Sequence, residues 1–325
     1  MKAVRSLALG ALLLLPALVP LPAHAEEGGS GHYMPGANAS FIDCLPGKPG
    51  LAVANYFNYY DGSASGTRQL PFGGLIAGNL DATSYADTVV VLYETPLKLL
   101  GGDYSVGAAI PYVWLEVKGE VRMTDPAGNT ITRKKTERTN GIGDILLYPF
   151  MISWTALNRD LKYDVRLGIY APTGDYDKGN LANTGKNYWT FEPTASISYF
   201  SSKIGLELTA FAGLDLNTEN NDTKYQSGTQ FHLDVTAAQH LPLFGGTIGL
   251  GANFFYYQQL EGDSGSGAAA FGDFKGRTIG IGPVVSYITK LWGYDLGAEL
   301  KWLPEFDVGN RLKGDYVWFK LGMVF

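Results

Sequence analysis

Along much of the chain, apolar and polar residues alternate with a period of two. In "DLKYDVRLGIYA" the residues Leu161, Tyr163, Val165, Leu167, Ile169 and Ala171 are apolar, and Lys162, Asp164 and Arg166 between them are charged. "KIGLELTAFAGLDLN" sets Ile204, Leu206, Leu208, Ala210, Ala212, Leu214 and Leu216 against Gly205, Glu207, Thr209, Gly213 and Asp215. "GYDLGAELKW" does the same with Tyr294, Leu296, Ala298, Leu300 and Trp302 against Asp295, Gly297, Glu299 and Lys301. An amphipathic helix repeats at three and four residues, which these segments do not. The pattern predicts twelve strands, near 50–60, 85–97, 104–118, 141–154, 160–171, 189–200, 204–216, 229–241, 247–260, 277–289, 293–303 and 315–325. Many run to ten residues or more. Soluble strands usually have about 5–6, and a tilted strand crossing a bilayer needs about 9–11.

The links alternate in length. Short ones near 98–103, 155–159, 201–203, 242–246 and 290–292 separate longer polar or Gly-rich ones near 61–84, 119–140, 172–188, 217–228, 261–276 and 304–314. Outer-membrane barrels have short periplasmic turns and longer outer loops, and twelve strands put both chain ends on the short-turn side. Aromatic clusters at Tyr56, Phe57, Tyr59 and Tyr60, at Tyr188, Trp189 and Phe191, at Phe254–Tyr257 and at Trp292 and Tyr294 suit interfacial girdles. A soluble β-sandwich also alternates. It does not explain apolar faces this long or the loop alternation. The expected fold is all-β, a transmembrane antiparallel up-and-down barrel of about twelve strands. In lipid every backbone polar group must be paired, so the last strand should close on the first. Val317, Phe319, Leu321, Met323 and Phe325 would then face lipid, with Lys320 and Gly322 inside.

Composition agrees: glycine is 42 of 325 residues and aromatics make up 13%. Lys2 and Arg5, the uncharged stretch Leu7–Leu21 and the sequence Ala23-His24-Ala25 read as a signal peptide, residues 1–25, cleaved before Glu26. A retained anchor is disfavoured by Pro16 and Pro20 and by a length short of the ~20 residues a spanning helix needs. Without Lys2 and Arg5, the 25 basic residues fall to 23 against 31 acidic ones, a net charge of −8. An acidic exported chain offers nucleic acid no electrostatic footprint. Cys44 is the only cysteine, so no intramolecular disulfide forms.

Chemistry-bearing patterns are sparse. His32, His232 and His240 remain after cleavage, and His232 shares an expected inward face with Gln230, Asp234 and Thr236. No serine lies two residues from His232, and no nucleophile motif marks a barrel phospholipase, so no catalytic residue is assigned. "GIGD", "GLGA" and "GIGP" lack the third glycine and the helix of a phosphate loop. Glu219, Asp222 and Asp263 match no calcium-loop spacing. The run "RKKTER" at 133–138 either meets lipopolysaccharide phosphates or is solvated. The expected lumen carries Lys162, Arg166, Lys301 and Lys320 against Asp164, Glu192, Glu207, Asp215, Asp234, Asp295 and Glu299, and His232 joins them. The acid excess argues against a dedicated anion channel. Twelve strands fall between side-chain-filled barrels of eight and open porins of sixteen to eighteen, which suits a narrow pathway for one small solute.

"EEGGSGHYMPGANASFIDCLPGKPGLAVANYFNYYDGSA" at 26–64 and "TNGIGDILLYPFMISW" at 139–154 resemble the exported outer-membrane family of the meta-pathway of phenol degradation, the MetA type. The resemblance covers most of the chain and is sharpest at Gly31–Gly36 and Gly141–Asp144. It implies an outer-membrane barrel of a Gram-negative bacterium that takes up aromatic or other hydrophobic compounds, and it supplies no catalytic residues. The ending at Phe325 resembles the C-terminal signal read by the barrel-assembly machinery. The expected protein is a monomeric passive channel, residues 50–325, in contact with outer-membrane lipid and lipopolysaccharide. No cofactor or metal site is assigned, and with no ATP-binding motif or redox cofactor site transport would be passive. The alternatives are a structural or adhesive barrel that binds partners through its outer loops and, third, an enzyme. Residues 26–49 have too many Gly and Pro for a core of their own. They are either a periplasmic tail or a plug folded back into the periplasmic mouth, with His32 and Tyr33 lining the route.

Overall fold

The computed structural model describes residues 27–124, 130–268 and 275–325. The expected signal peptide and its cleavage point lie outside the described residues. The strands are β1 (Gly50–Phe72), β2 (Leu75–Leu99), β3 (Gly102–Thr124), β4 (Thr130–Ile142), β5 (Ile145–Ala156), β6 (Leu161–Ala171), β7 (Thr190–Phe200), β8 (Leu206–Asn217), β9 (Gln230–Leu243), β10 (Gly246–Gln259), β11 (Arg277–Leu291), β12 (Tyr294–Gly309) and β13 (Lys313–Val324).

Twelve of these strands form one closed antiparallel barrel. The ring shuts where β1 pairs with β13, from Ala52 opposite Val324 to Ser63 opposite Lys313. Closure removes the open edge that lipid could not satisfy. The remaining strand, β4, lies outside the ring. β3 pairs with β4 over Tyr112–Thr124 and with β5 over Asp103–Ala109, so β4 continues β5 past a break at Gly143 and Asp144. The 172–189 stretch covers the far edge of β4. Lys135 Nζ donates to the Gly179 carbonyl at 2.8 Å, and the Glu137 carboxylate accepts from the Leu181 N–H.

The alternation places apolar side chains outside and charges within. Leu208 and Leu300 on the outer face are 48% and 52% exposed, whereas their neighbours Glu207 and Glu299 are each 1% exposed. A water-soluble fold has the reverse arrangement. Phe325 sits at the outer surface, packed on Tyr294 with ring centroids 5.0 Å apart, and its N–H donates to the Leu51 carbonyl.

Three expected loops are largely strand. The 61–84 link forms the upper parts of β1 and β2 around a turn at Gly73 and Gly74, whose φ values of 53° and 78° suit glycine. The 119–140 link forms the top of β3 and most of β4, so "RKKTER" is strand, with Arg138 paired to Glu116. Within the 304–314 link, β12 runs on to Gly309. Their Gly, Ser and Asn content reads as turn, but ladder pairing with an existing neighbour overrides that weak preference. The expected 141–154 strand divides at Gly143. The Tyr56–Tyr60 aromatics also divide: Tyr60 is buried inside, whereas Phe57 and Tyr59 pack outside on Tyr85.

Candidate functional site

The stretch from Glu27 to Lys48 cannot build its own hydrogen-bonded ladder, because Gly and Pro recur throughout it. Side chains from inside the barrel satisfy its backbone instead. At the long-loop end, Tyr176, Asn220 and Thr223 donate to the Glu27 carboxylate. Further in, the His32 ring lies 2.8 Å from Asp144 Oδ2 and 2.7 Å from Thr190 Oγ1. Gly36 N–H donates to Asp234 Oδ1 at 2.9 Å, and Trp318 Nε1 donates to the Pro35 carbonyl. Phe41 N–H donates to Glu207 Oε1 at 2.8 Å, and Ser40 Oγ donates to Glu299. At the short-turn end, Gly47 N–H donates to Glu94, and Lys48 pairs with Asp295. The segment therefore runs the length of the lumen, beyond the mouth at which the sequence reading would have it stop.

The sequence-selected lumen residues converge on this segment. Lys162 Nζ reaches the Leu45 carbonyl at 3.3 Å. Arg166 is paired with Asp164 at 2.6 Å and 3.0 Å and also donates to the Asp43 carbonyl at 2.7 Å. Lys320 bridges Asp43 and Glu299, and Lys301 pairs with Glu299 at 3.0 Å. His240 meets Glu207 at 2.7 Å. His232 lies 3.0 Å from Glu192 Oε1 and stacks on Tyr33, with ring centroids 3.6 Å apart. Asp295 is the outlier, half exposed at the rim beside Lys290.

Charge complementarity sets the ionisation of the segment. Burial alone would raise the Asp43 carboxyl, but the Lys320 and Lys301 ammonium groups prevail and hold it down to about 2. Burial, with the Asp164 charge, pushes the Cys44 thiol up to about 12 against the opposing pull of Arg166 and Lys162. Cys44 is partly exposed and lines a chamber toward the short turns. Burial also lowers the His32 imidazole below its ordinary value, although Asp144 opposes the shift.

The lumen is chemically two-sided. The wall from β6 to β9, with β12 and β13, carries the charges that hold the segment. The wall of β1–β3 presents Ala86, Val90, Leu92, Ala109, Val113 and Leu115. Between this apolar wall and the segment lies a chamber of about 320 Å³, whose lining includes Lys186 and Leu312 from the long connections. A second chamber of about 300 Å³ lies toward the short turns, beside Cys44, Pro46 and Met323. Tyr56, Val90 and Leu92 line both. Tyr56 OH donates to Asp43 Oδ1 at 2.9 Å, which fixes the narrow point between the chambers. Alternation alone does not reveal this apolar lane, because β2 is apolar on both faces there: Val89 and Val91 point out, and Val90 points in.

Residues 61–321 match the family described as "Putative MetA-pathway of phenol degradation". Among solved structures, the chain is similar to the COG4313 outer membrane channel from Pseudomonas putida F1. That match has 15% identity and a TM-score of 0.61, covering 90% of this chain and 100% of the other. The beta domain of the Bordetella autotransporter BrkA matches at 13% identity and a TM-score of 0.45, over 86% of this chain and 99% of the other. No curated protein matches the sequence.

Proposed function

The chain belongs to the phenol-degradation MetA-pathway family, and on that premise we propose that it is an outer-membrane channel for small hydrophobic or aromatic molecules. They pass down their gradient along the lane between the N-terminal segment and the β1–β3 wall. One observation carries this reading: two chambers of about 320 and 300 Å³ share Tyr56, Val90 and Leu92 along an apolar wall. Ligand pockets span about 300–1,000 Å³ and are mostly apolar with a few polar groups, so each chamber suits a single small ring. The charged wall serves a different purpose, holding the segment that narrows the pore as a plug.

In this reading the short turns face the periplasm, the long hairpins face outward, and the belt of Leu208 and Leu300 meets lipid as a monomer. The family's description, a putative MetA-pathway of phenol degradation, supports aromatic cargo. A structural or adhesive role rests on the β1–β4 hairpins, which rise above the paired ring. Swelling of liposomes holding purified protein, tested with aromatic acids, phenols and sugars, separates the two. Entry of aromatic acids ahead of equally sized sugars supports the channel. Swelling no faster than protein-free liposomes for every solute refutes it.

A further inference from the structure

Where the N-terminal segment crosses β7–β9, three buried side chains aim at one point. His232 Nε2 lies 3.0 Å from Glu192 Oε1 and 3.7 Å from Asp215 Oδ1, and all three donor atoms lie within 4.8 Å of one another. We propose that Glu192, Asp215 and His232 form a binding site for a divalent transition-metal ion such as zinc, which fixes the imidazole under Tyr33.

Donors at about 2.0–2.1 Å from a tetrahedral zinc stand roughly 3.3 Å apart, and the two separations from His232 Nε2, 3.0 Å and 3.7 Å, bracket that value. The donor set is one imidazole and two carboxylates, which suits zinc or its first-row neighbours better than calcium or magnesium. Glu192, Asp215 and His232 are 2%, 0% and 2% exposed, so the three donors are enclosed together within the barrel.

The surroundings are built for such a centre. Gly213 stands opposite His232 on β8, and a Cβ there would lie 2.4 Å from Nε2, so its absence lets the ring reach across toward β7. The Tyr170 hydroxyl donates to Glu192, which orients that carboxylate from the outer shell. Gln230 stands directly opposite Asp215 on β9, fully buried, and neither its amide nitrogen nor its oxygen has a hydrogen-bond partner among the described residues. On the same inward face as Asp215, its carboxamide oxygen would be the fourth ligand. Tyr33 covers the opposite face of the His232 ring, 13° from parallel. The ion thereby joins a barrel site to the seat of the segment.

Zinc chloride titrated into the purified full-length barrel, with a chromophoric chelator as competitor, tests the site. The wild type should take up one equivalent. His232→Gln and Asp215→Asn should each bind at least tenfold more weakly, with heat-modifiable mobility showing that both fold. His240→Gln, whose imidazole pairs elsewhere with Glu207, should keep the wild-type affinity. If a variant fails to fold, X-ray absorption of the zinc-loaded wild type decides: a shell of one imidazole with oxygen donors supports the site, and any other shell overturns it. Wild-type binding no tighter than that of folded His232→Gln, or equal loss in His240→Gln, also overturns it.

Discussion

The Lys320 ammonium lies 2.7 Å and 2.8 Å from the two carboxylate oxygens of Asp43, and both side chains are fully buried. This pair joins the N-terminal segment to β13, the strand that closes the barrel. Lys320→Met leaves the Asp43 charge buried without its nearest partner, which typically costs about 3–5 kcal/mol. The barrel ladders do not depend on that pair. The expected outcome is a heat-modifiable barrel in which protease cuts within residues 27–48 and conductance rises. Wild-type cleavage and conductance would contradict the role given to the pair.

The same contact sets a pH dependence. The Asp43 carboxyl is held below its ordinary 3.8, at about 2. A depressed carboxylate contributes its full stabilisation above the ordinary value and loses it as pH falls through the folded one. Single-channel conductance should therefore be steady above pH ~4 and should rise as pH drops from ~4 toward ~2. Asp43→Asn should conduct highly at neutral pH and lack that acid step. A step of wild-type size in Asp43→Asn would assign it to another group.

Outward and inward positions should differ in kind. Lys or Arg at Leu208 or Leu300, if near the bilayer midplane, should cost about 2–4 kcal/mol, measured by denaturant unfolding in lipid vesicles. Cysteine at Glu207 or Glu299 should react slowly with aqueous thiol reagents, because the segment covers both positions. Deleting residues 28–46 should expose these cysteines while the barrel stays closed by β1 and β13. Fast labelling with the segment present would show that it does not occupy the lumen.

Much of this architecture was legible in the chain. The expected strand 204–216 emerges as Leu206–Asn217, and 229–241 emerges as Gln230–Leu243, because one face had to be apolar for lipid. The tall hairpins of β1–β4 were not legible. There the inward face is small or mixed, as at Ala64, Leu80 and Gly119, and periodicity fades. Within the lumen, alternation identifies inward side chains such as His232 and Asp234 but not their neighbours. The approach of Glu192 to His232 depends on three adjacent strands and on a glycine between them. The apolar lane left one readable sign, the uninterrupted Val89-Val90-Val91-Leu92 run.

The lane itself is open to a single direct measurement. Ala86 lines the upper chamber between Asn58 on β1 and Val113 on β3, and tryptophan there would fill space along the apolar wall. Uptake of a labelled phenol by cells that degrade it internally should be compared among cells with wild-type protein, Ala86→Trp and no channel. The account predicts that wild type raises uptake and that Ala86→Trp returns it toward the channel-free rate at equal yields of folded barrel. Uptake by Ala86→Trp equal to wild type would contradict passage along the β1–β3 wall.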